Sequence, residues 1–359
     1  MIKKKTIADP EKWTDRISNT AQLGGIETAV LDNGPGRGTR IAWINTGTGL
    51  RYKVVIDRAM DIAEAFHNQH GLAWLSHSGI TSPQPFSDKG GDWLRTFGGG
   101  LLTTCGLSHI GGPETDEFGT RGQHGLISNT PAEIESIIQP DPMSGKMEMS
   151  ITGRMREARV FSPCLELRRT ISGTLGEPVI RIHDEVTNLG NRPAPHMLLY
   201  HFNFGWPLID EGTDLILNGP WQLLDEARDS LIFNDRNNFR KCPAPLEAHR
   251  GTQEAVGVFD VPAGKDGECI CGVHNAALGI AVAIKYRKEQ MPWLSNWQHW
   301  GPGEYVTGIE PGTNPPTGQA KARKENQLIF LESGETRVYD VELEILDHES
   351  AIQDRLINK

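Results

Sequence analysis

The sequence predicts an all-β protein built as one large antiparallel sandwich. Apolar and acidic residues alternate strictly over residues 339–345, as the two faces of a half-buried strand require. Similar short runs recur along the chain, and helices of a dozen residues between them are missing. The 40 glycines and 22 prolines are spread over all 359 residues, which indicates many turns rather than one linker.

The individual elements follow from the same patterns. Asp9 before Pro10 predicts a short helical segment at about 9–20, and residues 347–356 are typical of a closing helix. No low-complexity linker divides the chain, so a single domain over residues 1–359 is expected. Further strands are predicted at 52–56, 147–152, 165–171, 180–186 and 279–284.

Charge and composition exclude several classes of function. The net charge is −10 and no basic stripe is present, which argues against nucleic-acid binding. The longest apolar stretch, 276–284, is less than half a membrane span, and the basic amino terminus does not continue into an apolar signal region. Five cysteines are compatible with reduced thiols, so a cytoplasmic protein is expected. The oligomeric state stays open.

Two polar segments of the amino-terminal half could carry chemistry. In 57–62, Arg58 lies between two acids, which indicates either a surface salt-bridge cluster or an arginine that faces a polar ligand. Taken alone, the cluster is the more frequent outcome. In 97–106, three consecutive glycines match neither dinucleotide nor phosphate loops, and Cys105 is typical of a small buried residue. A nucleotide site is therefore not expected.

Two histidines lie in glycine-rich or aromatic surroundings. His124 begins the run His-Gly-Leu-Ile-Ser-Asn, and His201 precedes Phe202 and Asn203 in a run that ends Phe-Gly-Trp. A single histidine in such a setting is usually a core residue with satisfied hydrogen bonds. Two of them raise the probability of a functional site only somewhat.

A fourth segment has the residue types that a sugar needs. Trp297, Gln298 and His299 stand together, and Glu310 follows before a Pro-Gly turn. An aromatic face covers the C–H bonds of a sugar while amides and imidazoles bind its hydroxyls. Core packing is the alternative for the tryptophans, and an exposed turn for Glu310.

Metal binding is not predicted. The pairs His67-x-x-His70 and His196-x-x-x-x-His201 lack the HExxH pattern, and the cysteine and histidine spacing fits no zinc module. We expect neither a metal nor another cofactor.

In this order, the four segments resemble the galactose mutarotase (aldose 1-epimerase) superfamily, and most closely its branch of aldose-1-epimerase-like proteins. The resemblance runs from about residue 57 to 345. It is carried by five motifs, which are Arg-Ala-Met-Asp-Ile at 58–62, Gly-Gly-Leu-Leu-Thr-Thr-Cys-Gly at 99–106, His-Gly-Leu-Ile-Ser-Asn at 124–129, Tyr-His-Phe-Asn-Phe-Gly at 200–205 and Glu-Pro at 310–311.

The resemblance implies a β-supersandwich with a carbohydrate site in a cleft on one sheet. His201 would correspond to the catalytic acid, Glu310 to the base and His124 to a second histidine that holds the sugar. Arg58 resembles a substrate-contacting arginine. Asn203 departs from the usual family motif, and Asp61 and Asp210 are candidates for the substrate-binding aspartate.

The chemistry suits this pair of residues. Mutarotation needs a base at the anomeric hydroxyl and an acid at the ring oxygen, and both oxygens are bonded to one carbon, so the two groups must converge. A carboxylate beside the imidazole is expected to favour imidazolium, which would make His201 the acid and Glu310 the base. The reaction requires no metal and no cofactor.

The sequence therefore predicts a carbohydrate isomerase that interconverts the anomers of a free aldose, with a small sugar as its partner. Two alternatives stay open, namely an isomerase or epimerase that acts at C2 or beyond through an enediol, and a sugar-binding protein without catalysis. A phosphorylated sugar is a further variant, because Arg58, Arg95 and Arg121 lie in or near the motifs.

Overall fold

Two large antiparallel β-sheets face each other in the computed structural model, which describes residues 7, 9–86, 88–251 and 253–358. This confirms the all-β sandwich that the alternation predicts. The strands, β1 to β22 in chain order, are Gly25–Val30, Arg40–Asn45, Leu50–Val55, Asp61–His67, His70–Gly71, Leu102–Leu107, Glu114–Asp116, Gly119–Arg121, Glu133–Ile138, Glu148–Ala158, Cys164–Thr174, Val179–Asn188, Ala194–Gly205, Asp214–Ile216, Trp221–Leu223, Ala255–Phe259, Glu268–Asn275, Ile280–Arg287, Trp293–Gly301, Glu304–Gly312, Ile329–Leu331 and Thr336–Leu346.

Sheet A has the order β1-β2-β3-β4-β6-β13-β20-β19-β16-β15, with β5 beside β4 and β21 beside β13. Sheet B has the order β14-β17-β18-β22-β12-β11-β10-β9, and β7 pairs with β8 separately. Some neighbouring strands in sheet A are consecutive in the chain, such as β1 to β4, but in its centre β6 pairs with β13 and β13 with β20. The central strands β13, β20 and β19 therefore bring together segments that are about 100 residues apart.

Helices are few and short in the described part of the chain. In the predicted helical segment 9–20 there is one 3-10 turn, Pro10–Lys12, and a second turn begins at Thr20. The predicted closing helix is a single α-turn followed by the π-turn Gln353–Ile357. The α-helices, α1 to α4, are Trp93–Thr96, Glu226–Asp229, Gln319–Lys324 and Glu349–Ile352, and the other 3-10 turns are Thr20–Gln22, Gly34–Gly36, Ile127–Asn129, Pro142–Ser144 and Glu247–His249. No helix among the described residues combines the length and apolar character that crossing a bilayer needs.

The two faces of β13 show how sheet A divides the molecule. Leu198, Tyr200, Phe202 and Phe204 point into the main core between the sheets. The alternate residues, such as Leu199, belong to a second apolar cluster on the opposite face of sheet A. We call this second surface the outer face of sheet A.

A buried ion-pair network joins the two sheets. Arg169 on β11 is fully buried and pairs with Asp184 on β12 at 2.7 Å and with Asp61 on β4 at 3.1 Å. Thr104 donates to Asp61, and Tyr200 donates to Asp184 at 2.6 Å. Each charge therefore has an opposite charge and further hydrogen bonds, which burial of ions requires.

Candidate functional site

The pairing of β13 with β20 brings His201 and Glu310 together. Their register pairs Leu199 with Gly312 and Phe202 with Ile309, which places His201 opposite Glu310. Residues directly opposite each other share one face of the sheet, here the outer face of sheet A. His201 Nε2 lies 3.2 Å from Glu310 Oε1, and the two side chains are only 7% and 3% exposed. The structure thus joins two residues that are 109 positions apart in the chain.

Four buried polar atoms around this pair have no hydrogen-bond partner among the described residues. They are His201 Nδ1, Glu310 Oε1, Asn203 Oδ1 and Ser295 Oγ, although the Asn203 side chain lies close enough to His201 to oppose the lowering of its pKa by burial. His201 and Asn203 are two residues apart on β13, and Ser295 on β19 pairs with Glu310, so all four lie on the outer face of sheet A. Nearly all buried polar atoms in proteins are hydrogen-bonded. A cluster of exceptions therefore indicates a place where a polar ligand binds.

Aromatic side chains cover the pair. The ring centroids of Phe97 and Trp297 lie 5.4 and 5.5 Å from that of His201. Trp93 stacks on Phe97 at 4.3 Å and lies 4.7 Å from the ring of His124. Aromatic faces suit the C–H surface of a pyranose, whereas the unpartnered polar atoms beneath them suit its hydroxyls.

His124 also lies in this group, with its ring 6.1 Å from that of His201. The N–H of Gly111 donates to His124 Nδ1 at 3.3 Å, which leaves the proton of a neutral imidazole on Nε2. Burial, together with the proximity of His201 and His109, lowers the pKa of His124 well below its ordinary value. His124 is therefore a neutral hydrogen-bond donor at physiological pH.

Burial shifts the pKa values of both members of the central pair. Burial lowers the pKa of His201 to about 4. Burial, and to a smaller extent the charge of Glu254, raises the pKa of Glu310 well above its ordinary value. Both directions run against the expected imidazolium–carboxylate pair, because burial removes the hydration that stabilises the charged forms. Both shifts favour the uncharged forms, a neutral imidazole and a protonated carboxyl.

Trp297 is held by a carboxylate that the sequence analysis missed. Its Nε1 donates to Glu254 Oε2 at 2.8 Å, and Arg228 pairs with Glu254 Oε1 at 3.2 Å. Glu254 stands in a stretch without a recognisable motif, so only the fold shows its position. Trp93 and Ser295 were missed for the same reason.

Trp297, Gln298 and His299 separate by strand alternation. His299 lies on the same face as Trp297, with ring centroids 6.4 Å apart, and its Nδ1 donates to the Gln253 carbonyl at 2.6 Å. Gln298 points to the other face, where its amide donates to Phe239 O and Asn296 Oδ1. The structure thus brings Trp297 and His299 to the outer face and does not bring Gln298 there.

The remaining predicted residues have protein partners. Asp61 accepts hydrogen bonds from Thr104 and pairs with Arg169 in the layer between the sheets. Arg58 donates only to uncharged oxygens of the protein. Both line a cavity of about 90 Å³. Asp210 is exposed in a turn. Their sugar-binding roles stay predictions.

Gly308 provides the space for the carboxyl group of Glu310. A Cβ atom at this position would lie 2.3 Å from Glu310 Oε1 and 3.3 Å from His201 Cε1. We expect Gly308→Ala to displace the carboxyl group and to lower sugar turnover by about 10²-fold, because displacement of a reacting group by about 1 Å has effects of this size. The rate is measured by the NMR exchange experiment described under the proposed function.

Gly173→Ala is the matched control for this prediction. Gly173 is also a strand glycine, but a Cβ there would meet its nearest atom, the carbonyl oxygen of Val179, at an ordinary 3.4 Å. Thermal unfolding of both variants checks that the fold is kept. Equal rates for the two variants would contradict the position assigned to Gly308.

The described residues contain no group of three or more His, Cys, Asp or Glu side chains arranged to hold a metal ion. The histidine pairs noted in the sequence take part in other contacts. For example, His67 lies 3.3 Å from Asp347, and His196 bonds Tyr339 at 2.7 Å.

Comparison with solved structures identifies the fold. A "putative aldose 1-epimerase" from Klebsiella pneumoniae superposes with a TM-score of 0.82 at 22% identity, covering 95% of this chain and 90% of that one. A galactose mutarotase-like protein from Clostridium acetobutylicum gives 0.60 at 13% identity and covers 89% and 98%. A galactose 1-epimerase from Lactobacillus acidophilus gives 0.58 at 13% identity and covers 90% and 99%. At these identities the likeness shows the fold.

By sequence, no curated protein matches this chain significantly. Residues 36–345 match a family described as a domain of unknown function, DUF4432. The match spans both large sheets, and the solved structures show the fold of the superfamily that the sequence resembles. The chain therefore belongs to the DUF4432 family and has the galactose mutarotase-like fold.

Proposed function

We propose that this protein is a carbohydrate isomerase that interconverts the anomers of a free aldose. The observation that carries the proposal is the contact between His201 and Glu310, 3.2 Å apart on one sheet face. Both groups are buried beneath aromatic rings and keep unpartnered polar atoms. The likeness to proteins named as aldose and galactose 1-epimerases supports the same reaction class.

The reaction needs one proton that His201 and Glu310 can transfer, so that one of them acts as acid while the other acts as base. The base removes the proton of the O1 hydroxyl, the bond between C1 and the ring oxygen breaks, and the acid protonates the ring oxygen to give the open aldehyde. We assign Glu310 as the first acid and His201 as the first base, because burial favours the protonated carboxyl and the neutral imidazole, which reverses the roles that the family resemblance implies. After the C1–C2 bond rotates, the two groups exchange roles and the ring closes. The pair thus ends with the proton count it began with.

The charges near the site favour an uncharged sugar over a sugar phosphate. Arg58 is committed to uncharged protein oxygens, and Arg121 pairs with Glu114 at 2.7 Å and with Asp116 at 2.6 Å. Arg95 is largely exposed to solvent and pairs with Asp92 at 3.4 Å. Glu254 adds a negative charge next to Glu310. A phosphate group would find acidic neighbours and no uncommitted arginine among these three.

Magnetisation-exchange NMR on a panel of free aldoses tests the proposal. We expect the wild type to accelerate anomer exchange of at least one sugar and His201→Gln to lose about 10²–10⁴-fold of that acceleration, the usual contribution of one acid–base group. His183→Gln is the control, since His183 lies on β12 with its side chain 46% exposed. Equal exchange with wild type and His201→Gln on every sugar would refute the proposal.

The same samples separate the two alternatives. Chemistry at C2 through an enediol would introduce deuterium from heavy water into a carbon position, whereas mutarotation leaves every C–H bond intact. A sugar-binding protein without catalysis would show saturable binding and no acceleration. Either outcome would replace the proposed reaction.

A further inference from the structure

Arg58 is a buried cation that joins three separate segments of the chain. Its Nε donates to the Ser128 carbonyl, Nη1 to Thr81 O and Oγ1 at 3.3 and 2.7 Å, and Nη2 to the Thr96 carbonyl at 2.9 Å. Arg58 is only 8% exposed. All three of its nitrogens are thus used within the protein.

Two of these segments carry the aromatic cover of the site. Thr96 is the last residue of α1, which begins with Trp93 and is followed by Phe97. Trp93 Nε1 donates to Ser128 Oγ at 3.1 Å. The main-chain oxygens that Arg58 binds therefore belong to Thr96, next to Phe97, and to Ser128, which holds Trp93.

Asn129 makes a second connection between the same segments. Its Nδ2 donates to Thr96 Oγ1 at 3.0 Å, and its Oδ1 accepts the Gln84 N–H at 3.2 Å. The 3-10 turn Ile127–Asn129 and α1 are consequently fastened to each other both directly and through Arg58.

The chemistry of arginine suits this task. A planar guanidinium presents five N–H donors in a fixed fork, so it can bind several carbonyl groups at once, whereas a lysine ammonium is a point charge on a flexible stem. Burial lowers the pKa of Arg58 to about 10, which leaves it cationic at neutral pH. Hydrogen bonds from a cation to carbonyl oxygens are stronger than those between neutral groups.

We propose that Arg58 is a positioning residue that clamps α1 and the turn Ile127–Asn129, so that Trp93 and Phe97 stay above the His201–Glu310 pair. Arg58 acts through these rings and does not itself bind the sugar. This departs from the substrate contact that the family resemblance implies. Its effect on turnover rests on the proposed function, but the clamp itself does not.

Amide hydrogen exchange, followed by mass spectrometry, tests the clamp without reference to activity. In Arg58→Met we expect exchange in peptides covering 93–97 and 126–130 to be about tenfold faster or more, the effect of losing hydrogen bonds from a charged group. Arg58→Lys should be intermediate, and peptides from β11 should be unchanged in both. Arg95→Met is the control, because Arg95 lies on the same short helix with its side chain 83% exposed.

Kinetics separate a clamp from a substrate contact. A clamp predicts that Arg58→Met lowers the exchange rate by one common factor for a sugar and for each of its deoxy analogues, since no single hydroxyl is read by Arg58. Partial recovery of the rate in Arg58→Lys is expected as well. If Arg58→Met and the wild type reacted equally fast with one deoxy analogue, Arg58 would contact the hydroxyl that this analogue lacks. That result would overturn the proposal.

Ser128→Ala keeps the test valid if Arg58→Met does not fold. This change removes the Oγ that accepts from Trp93 and leaves the carbonyl that accepts from Arg58. We expect faster exchange in 93–97. Unchanged exchange in 93–97 and 126–130 for every folded variant would overturn the clamp. Faster exchange in these peptides, with no sugar turned over by the wild type, would sustain the clamp and refute the proposed function.

Discussion

The Glu310→Gln variant is expected to lose anomer exchange by about 10²–10⁴-fold while unfolding at a higher temperature than the wild type at neutral pH. The amide has the shape of the carboxyl group and can donate to His201 Nε2, but it cannot transfer a proton. The rise in stability comes from the raised pKa of Glu310, whose first cause is burial.

The sign follows from proton linkage. An unfolded chain releases the Glu310 proton near its ordinary pKa, whereas the folded protein retains it to higher pH. The wild type therefore loses stability as the pH rises above the unfolded pKa, and each unit of difference corresponds to about 1.4 kcal/mol. Glutamine does not titrate. The advantage of the variant should be absent near pH 4, grow with pH, and level off above the folded pKa of Glu310.

Thermal unfolding between pH 4 and 8 measures this difference. Glu148→Gln is the control, since Glu148 is an exposed residue at the start of β10, and its melting curve should follow that of the wild type. A Glu310→Gln variant that is less stable than the wild type at pH 8 would show that the carboxyl group is ionised and stabilised in the folded protein. The neutral pair described above would then be wrong.

Arg169→Met is expected to destabilise the protein by about 3–5 kcal/mol, because it leaves Asp61 and Asp184 buried without their cation. Arg169 is fully buried, and its guanidinium also donates to Thr104 Oγ1 at 2.8 Å. Methionine fills part of the volume, so the lost charge, rather than a cavity, should dominate the effect. Urea unfolding measures the free energy directly.

The neighbouring residue is the matched control. Arg168 on the same strand points to the opposite face, where it pairs with Glu135 at 2.8 Å and Glu185 at 3.0 Å, and its side chain is 42% exposed. Arg168→Met should cost at most about 1 kcal/mol, as exposed ion pairs do. Similar losses for the two variants would contradict the structural role of the Arg169 network.

Some features of the strands could be predicted from neighbouring residues alone. The alternation over 339–345 lies within β22, and strand alternation in β19 also separates Gln298 from Trp297 and His299. These are properties of a few consecutive residues, since side chains on a strand alternate between its faces. The sequence did not show that Gln298 belongs to the inner face, because either parity of an isolated strand can face the core.

Other properties depended on residues far away in the chain. Arg58 stands between two acids in the sequence, yet its guanidinium donates to oxygens 23, 38 and 70 positions away. Glu254 had no local signal and became visible only through its contact with Trp297. The lowered pKa of His201 could not be predicted either, because the sequence shows the charge of a partner but not the loss of water around it.

By itself, then, the order of residues determined several strands and the all-β class, because these depend on local periodicity, and the acid–base pair was implied by the resemblance to a known family. Only the tertiary structure decided that His201 meets Glu310, which residues cover them and in which direction burial shifts their pKa values. Strand register pairs residues that are distant in the chain, and the pKa of a buried group depends on all the atoms that surround it. Neither can be read from the immediate neighbours of a residue.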